Sequence, residues 1–243
     1  MKKTIGVAVA TVLGAAAFAS TASAATIVID DFDTGSQVVA IPDGTPGPAD
    51  GGIACAGCVG GARYVFVERT NGADDQVLIE VHPDSAAAGW FLYSNEISVD
   101  SQALVRWDGD SNSTLNFGLA GVSFVQEGGL AVEVESDINV QYTFRLYNAN
   151  GDMVSGTINL TEAAGDGDLL NGGQLKFIPL AGFAGAPGFD FGNIAAIEML
   201  INGGPSFDTA IRFVEYRVPE PASLALLGLG LLGIGAARRR KGA

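Results

Sequence analysis

One stretch decides the fold class of this chain: Val140-Gln-Tyr-Thr-Phe-Arg-Leu-Tyr147. Its apolar residues recur at every second position, which is the period of a β-strand with one buried face. The loop Asn148-Ala-Asn-Gly-Asp152 follows, and its Asn-Gly pair suits the positive φ angles of a tight hairpin turn. Because Val154–Leu160 then resumes the strand pattern, the sequence predicts a β-hairpin here.

The same period of two recurs on both sides of this hairpin. It predicts further strands at Thr26–Phe32, Arg63–Arg69, Val77–Val81, Trp90–Tyr93, Ala103–Trp107, Leu130–Glu135, Leu175–Ile178, Ile194–Ile201 and Ala210–Val218. The stretch Pro42–Gly61 is rich in Gly and Pro and is predicted to be an excursion between early strands. Many strands without βαβ alternation imply two packed sheets, so we expect an all-β, jelly-roll-like antiparallel β-sandwich in a single domain.

Composition argues against several classes of function. The 243 residues include one histidine and two cysteines, which disfavours His-based catalysis, three-His metal sites and multi-disulfide scaffolds. Residues 25–217 carry 26 acidic and 7 basic side chains, a net charge of −19. Such a charge repels nucleic acid, so no nucleic-acid partner is expected. The same charge attracts divalent cations and basic partners.

The N-terminus has the layout of an export signal. Two lysines precede the apolar run Ile5–Phe18, and small residues follow at Ala22 and Ala24. We therefore predict a secretory signal peptide over residues 1–24, with Ala22 and Ala24 recognised by signal peptidase. A retained transmembrane helix is the weaker alternative because the run is shorter than the ~20 residues needed to span a bilayer.

The C-terminus has three parts in a fixed order. These are Val218-Pro219-Glu220-Pro221, sixteen apolar or small residues over Ala222–Ala237, and the basic cluster Arg238–Lys241. Proline cannot lie within a sheet ladder, so the body ends at the first part. Sixteen residues rise ~24 Å as a helix, slightly less than a ~30 Å hydrocarbon core, and the basic cluster can snorkel to close the gap. We predict a single transmembrane helix with residues 25–217 on the far side of the membrane.

This tail resembles the PEP-CTERM sorting signal of Gram-negative bacteria. The resemblance covers residues 218–241, and the sorting motif consists of Val218, Pro219, Glu220 and Pro221. It implies handling by exosortase, a membrane-embedded cysteine-protease-like enzyme, after transient anchoring in the inner membrane. The protein would then reach the cell surface or extracellular matrix, with the tail removed or exchanged near the motif. A plain membrane anchor is the alternative.

The body is similar to one group of PEP-CTERM proteins. The shared marks are Ile29-Asp30-Asp31-Phe32, Gly60-Gly61-Ala62-Arg63, Trp107-Asp108-Gly109 and the closing Phe207-Asp208 with Phe213-Val214-Glu215. This resemblance implies a jelly roll laid out like a carbohydrate-binding sandwich, and it identifies no sugar site. Cys55 and Cys58 do not belong to the shared pattern.

Cys55 and Cys58 are predicted to form a disulfide within one loop, because an exported chain without other cysteines favours that pairing. A redox pair of the thioredoxin kind would need a helix after the first cysteine, whereas Val59-Gly60-Gly61 follows the second. Zinc would need four ligands, and free thiols are the remaining alternative.

The loop Trp107-Asp108-Gly109-Asp110-Ser111-Asn112 places oxygen ligands at alternate positions beside an indole. Such a loop suits structural calcium, or a sugar bound by its polar edge and apolar face. It departs from an EF-hand, because Ser113 and Leu119 stand where that loop needs Gly and Glu. We keep Trp107, Asp108, Asp110 and Asn112 as a hypothetical calcium or sugar site; the alternative is an acidic hairpin turn with Trp107 in the core.

No residues converge on a catalytic site in the sequence. Glu133 and Glu135 share a strand face, as the carboxylates of a glycosidase would, but both are predicted to face water. We therefore expect a non-enzymatic protein of the cell surface, matrix or biofilm that interacts with exopolysaccharide. The alternative is a carbohydrate-binding, lectin-like module.

Overall fold

Two antiparallel sheets of seven strands each pack face to face. A computed structural model describes residues 26–71, 75–82, 89–119, 122–160 and 173–219. The strands in these ranges are β1 (Thr26–Asp30), β2 (Gln37–Ile41), β3 (Ala49–Ala54), β4 (Ala62–Asn71), β5 (Val77–His82), β6 (Trp90–Asn95), β7 (Asp100–Trp107), β8 (Gly129–Ser136), β9 (Val140–Asn148), β10 (Met153–Leu160), β11 (Gln174–Pro179), β12 (Ala184–Gly185), β13 (Ile194–Gly203) and β14 (Asp208–Arg217).

The order of strands in each sheet differs from their order in the chain. Sheet A runs β11-β8-β14-β6-β5-β2, with β1 also paired to β14, and sheet B runs β12-β10-β9-β13-β7-β4-β3. Every strand pairing is antiparallel, and many partners are distant in sequence, as when β13 lies between β9 and β7. The predicted all-β, jelly-roll-like sandwich is confirmed.

The predicted hairpin is confirmed as β9 and β10. Val140 lies opposite Leu160, and Tyr147 lies opposite Met153. The side-chain oxygen of Asn148 accepts hydrogen bonds from the backbone N–H groups of Asn150 and Asp152. Gly151 adopts φ +83°, a conformation that glycine reaches without steric cost. The turn residues therefore close the hairpin by local bonding.

The prediction that Pro42–Gly61 is an irregular excursion is wrong in part. Ala49–Ala54 forms strand β3, which pairs with β4 along the edge of sheet B. Its sequence, Ala-Asp-Gly-Gly-Ile-Ala, shows no apolar alternation because an edge strand of small residues buries little surface. The short strands β2 and β12 were also absent from the prediction.

Inward-facing side chains from both sheets form one apolar core. Sheet B contributes Val65, Phe144 and Met199, and sheet A contributes Phe91 and Ile211, all fully buried. Removing each such large side chain from water stabilises the fold by roughly 1.5–3 kcal/mol. Because alternate residues face the core, the residues between them lie on the outer faces of the two sheets.

Candidate functional site

A cleft of about 400 Å³ lies on the outer face of sheet B. Strands β3, β4, β7, β9 and β13 form its floor, and the loop after β7 forms one wall. The floor combines aromatic, aliphatic and charged side chains, as ligand sites usually do. Two other pockets in the described part of the chain have volumes of about 350 Å³ and 330 Å³.

A polar row crosses the floor of the cleft at right angles to the strands. Tyr64 on β4 lies opposite Arg106 on β7, and Arg106 lies opposite Glu198 on β13. Glu198 in turn lies opposite Arg145 on β9. Directly opposed residues interact across a sheet, so the strand register places these four side chains in contact.

An apolar row runs beside the polar one. Phe66 lies opposite Leu104, and Leu104 lies opposite Leu200. Asp50 ends this row on the edge strand β3, opposite Phe66. The floor therefore offers an apolar strip next to a strip of hydrogen-bonding groups, which suits a ligand with one apolar and one polar side.

Glu198 is the centre of the polar row. Its carboxylate accepts a hydrogen bond from Arg106 Nε at 2.9 Å and another from the Tyr147 hydroxyl at 2.8 Å. Arg145 Nη1 lies 3.5 Å from the second carboxylate oxygen. Burial and the negative charge of Glu198 raise the pKa of Tyr147 to about 12, so this hydroxyl stays protonated and donates.

Tyr64 is held at the other end of the row. Its hydroxyl donates to Asp50 at 2.8 Å, and the guanidinium of Arg106 lies 5.3 Å from the centre of its ring. Burial and the Asp50 carboxylate raise the pKa of Tyr64 to about 12. Ring, guanidinium and carboxylate therefore form one preorganised unit.

The loop after β7 closes one side of the cleft. Arg106 Nη1 donates to the backbone oxygen of Ser113 at 3.1 Å. Where the loop passes over β3, a Cβ added to Gly52 would lie 1.5 Å from the Ser111 backbone oxygen. Glycine at position 52 is therefore what allows the loop to lie against the sheet.

Trp107 does not reach this surface. It is fully buried, and its indole N–H donates to Asp30 at 2.8 Å. A buried ring offers no face to a sugar, so the hypothetical sugar site lacks its aromatic platform in this structure. The alternative placement, with Trp107 in the core, is the one observed.

Asp108, Asp110 and Asn112 bond mainly to their own loop. Asp108 accepts from the backbone N–H groups of Asp110 and Asn116, and burial raises its pKa. Asp110 accepts from Ser111 N at 2.6 Å and from the Asn112 side chain, whose oxygen accepts from Thr114 N. A calcium ion here would have to replace some of these bonds, and the calcium hypothesis stays a prediction.

Cys55 and Cys58 are joined by a disulfide, with their Cα atoms 5.4 Å apart. Cys58 Sγ lies 3.2 Å from a carboxylate oxygen of Asp30. The 3-10 helix Val59–Gly61 follows the bridge and leads into β4. Asp30, Cys55 and Cys58 lie close enough together to share a metal ion, but sulfurs in a disulfide are poor ligands and a cationic guanidinium adjoins the carboxylate.

That guanidinium belongs to Arg63, and together Asp30, Arg63 and Trp107 form a buried polar cluster. Arg63 Nη1 donates to Asp30 at 2.9 Å, and both side chains are fully buried. Burial raises the pKa of Asp30, while Arg63 and the hydrogen bond from Trp107 oppose the rise. Residues from three of the sequence segments quoted above, Asp30, Arg63 and Trp107, therefore meet at one point inside the sandwich.

The two glutamates of β8, Glu133 and Glu135, differ in their exposure to solvent. Glu133 is partly exposed and lies 3.5 Å from Arg212, whereas Glu135 is 5% exposed, against the prediction that both face water. Glu135 lies opposite Ala210 on β14 of the same sheet, and Thr209 Oγ1 donates a hydrogen bond to its backbone oxygen.

Several predicted residues fall outside the described part of the chain. Ala22 and Ala24 of the signal peptide do so, as do Glu220 and Pro221 of the sorting motif, whereas Val218 and Pro219 follow the end of β14. The predicted transmembrane helix also lies outside it. Among the described residues, no helix is long and apolar enough to cross a membrane.

Sequence reasoning missed the cleft. Tyr64, Arg106, Arg145 and Glu198 belong to four separate strands, and only their shared outward positions in the alternation pattern could have singled them out. That signal does not tell which strands are neighbours.

Comparison with solved structures finds distant likenesses. The family 11 carbohydrate-binding module from Clostridium thermocellum, in complex with a beta-1,3-1,4-mixed-linked tetrasaccharide, is 11% identical over 79% of this chain and 94% of that chain, with a TM-score of 0.35. A family 30 carbohydrate-binding module is 13% identical over 74% of this chain and 98% of that one, with a TM-score of 0.31. PfGH50B is 11% identical over 64% of this chain and only 23% of its own, with a TM-score of 0.38.

The C-terminal tail is the part of the chain that matches a known family model. No curated protein matches the chain. Residues 217–241 match the family model of the PEP-CTERM protein-sorting motif, which confirms the resemblance seen at residues 218–241. The chain therefore carries a PEP-CTERM sorting motif at its C-terminal end, the mark of an exported protein sorted by exosortase.

Proposed function

We propose that this chain is a non-enzymatic protein of the cell surface or extracellular matrix. The observation that carries the proposal is the sorting motif at residues 217–241. In this proposal signal peptidase removes residues 1–24, exosortase acts near Pro219, Glu220 and Pro221, and residues 25–217 are the delivered domain. The net charge of −19 on that domain keeps it soluble and disfavours contact with anionic lipid.

Fractionation of the native host tests this sorting. Wild type is compared with Glu220→Ala, followed by mapping of the terminal peptides. We expect the wild-type domain in the surface or extracellular fraction without its basic cluster, and the variant retained in the membrane with Arg240 attached. A matched control is Glu215→Ala, which removes an acid from β14 and leaves the motif intact. Wild type exported with Arg240 in place would refute processing.

A second function is supported by the cleft: binding of a carbohydrate. The apolar row of Phe66, Leu104 and Leu200 fits the face of a sugar ring, and the polar row fits its hydroxyl groups. Tyr64 and Arg106 are already held by Asp50 and Glu198, so these side chains would lose little conformational entropy on binding.

A glycan array tests this binding. We expect wild type to bind glycans on the array, and we expect Phe66→Ala to bind the same glycans more weakly. Phe213→Ala is the matched control, because Phe213 is also partly buried but lies on β14 of sheet A. No hits with wild type, or equal loss in both variants, would count against the cleft.

A further inference from the structure

The charge in the cleft is balanced, whereas the body as a whole is strongly acidic. Residues 25–217 carry 26 acids and 7 cations. Two of those cations, Arg106 and Arg145, line the cleft, where they meet two carboxylates, Asp50 at the rim and Glu198 in the polar row. The cleft therefore lacks the excess of acidic groups that the rest of residues 25–217 carries.

The carboxylates at this site are already engaged by protein donors. Glu198 is 3% exposed, and it accepts hydrogen bonds from Arg106 and Tyr147 besides its ion pair with Arg145. Asp50 accepts from the Tyr64 hydroxyl at the rim. A ligand on the floor of the cleft therefore meets the partly exposed Arg145 side chain, whereas the Glu198 carboxylate is buried and Asp50 lies exposed at the rim.

Arg145 is the cation best placed to contact a ligand. Its side chain is 35% exposed, whereas that of Arg106 is 10% exposed. Nη1 of Arg145 lies 3.5 Å from Glu198, and this ion pair holds the guanidinium at the floor of the cleft. A guanidinium held in this way presents parallel N–H groups that match the two oxygens of a carboxylate.

We propose that the cleft binds an anionic polysaccharide whose sugars carry carboxylates, with Arg145 contacting the carboxylate and the apolar row contacting the ring. This proposal rests on the proposed carbohydrate-binding function and names its ligand class. Attraction by Arg145 acts at contact distance, whereas repulsion from the distant acids of the body is screened beyond ~8 Å at physiological salt.

The test uses two ligands that differ only in the carboxylate. Oligogalacturonate and its carboxyl-reduced counterpart of the same length are titrated by calorimetry into the full chain in mild detergent. We expect wild type to bind the uronate at least roughly tenfold more tightly, as one charge-assisted hydrogen bond allows. Arg145→Gln should lose this preference, and Arg145→Lys should keep part of it.

Arg212→Gln is the matched control. Arg212 is 58% exposed and lies on sheet A, so its loss changes the net charge equally and should leave the preference intact. Near-ultraviolet circular dichroism checks that each variant is folded. If both ligands bind wild type equally and Phe66→Ala weakens both, the carbohydrate site stands and the anionic preference is overturned. If neither ligand binds, the anionic proposal falls, and the carbohydrate site falls with it only if the glycan array also gives no hits.

Discussion

Replacing Asp30 by Asn is expected to be among the most destabilising single changes in this body. The carboxylate of Asp30 is fully buried, and each of its two oxygens accepts hydrogen bonds. One oxygen accepts from Phe32 N, and the other from Arg63 and Trp107. Asparagine keeps only one acceptor, so its amide group must face an N–H donor in either orientation. Arg63 would also lose its counter-ion.

The size of the loss follows from burial. Removing one partner of a buried ion pair costs about 3–5 kcal/mol, because the remaining charge is left without compensation. Both Asp30 and Arg63 are 0% exposed, so solvent screening does not reduce this figure. For a body of this length each kcal/mol lowers the melting temperature by about 2–4 °C, which gives a fall of about 6–20 °C.

Urea unfolding of the full chain in mild detergent, followed by far-ultraviolet circular dichroism, measures the loss. Asp31→Asn is the control, since Asp31 is partly exposed and its carboxylate accepts a hydrogen bond from Asp33 N at 3.1 Å, which an amide oxygen can also accept. We expect a loss of less than about 1 kcal/mol there. Asp30→Asn combined with Arg63→Met should recover part of the loss, because no unpaired charge remains. A loss below about 1 kcal/mol for Asp30→Asn alone would refute the view that this cluster is an ion pair.

Four further predictions follow from single features. Reduction of the disulfide between Cys55 and Cys58 should lower the free energy of unfolding by about 2 kcal/mol, the chain-entropy value for so short a loop. Urea unfolding with and without a phosphine reductant measures this loss, and the stability of the Cys55→Ala, Cys58→Ala double variant should not change with the reductant. Gly52→Ala should destabilise by about 1–3 kcal/mol because its Cβ meets the loop backbone, whereas the Cβ of Gly51→Ala makes ordinary contacts with a Val39 methyl at 3.4 Å and with Gln37 Nε2 at 3.5 Å. Equal unfolding curves for the two variants would contradict the close approach. Burial and the charge of Asp137 raise the pKa of Asp208 above its ordinary value, so the folded state holds this proton more tightly and the contribution of Asp208 to stability falls as pH rises. Asp208→Asn should therefore be more stable than wild type near pH 7 and lose that advantage near pH 4. A stability difference that stays constant with pH would argue against the raised pKa. If Asp108, Asp110 and Asn112 hold structural calcium, millimolar calcium should raise the melting temperature and a chelator should lower it, and an unmoved value rejects the hypothesis.

The local pattern of apolar and polar residues was enough to predict much of the fold. A strand with one buried face repeats every two residues, so β9, β10 and most other strands can be read from the sequence. The sorting tail is also local, because proline, an apolar run and a basic cluster act through their order along the chain. The edge strand β3 was missed because small residues at a sheet edge bury too little to leave a pattern.

The cleft and the buried cluster depended on tertiary structure. Asp30 meets Arg63 and Trp107 across sequence separations of 33 and 77 residues, and Arg106 meets Glu198 across 92. Alternation shows which side of a strand is apolar, but it does not show which strands are neighbours or in what register they pair. Those choices are made by packing of the whole core, and they alone determine that Trp107 is buried while Tyr64, Arg106, Glu198 and Arg145 line one floor.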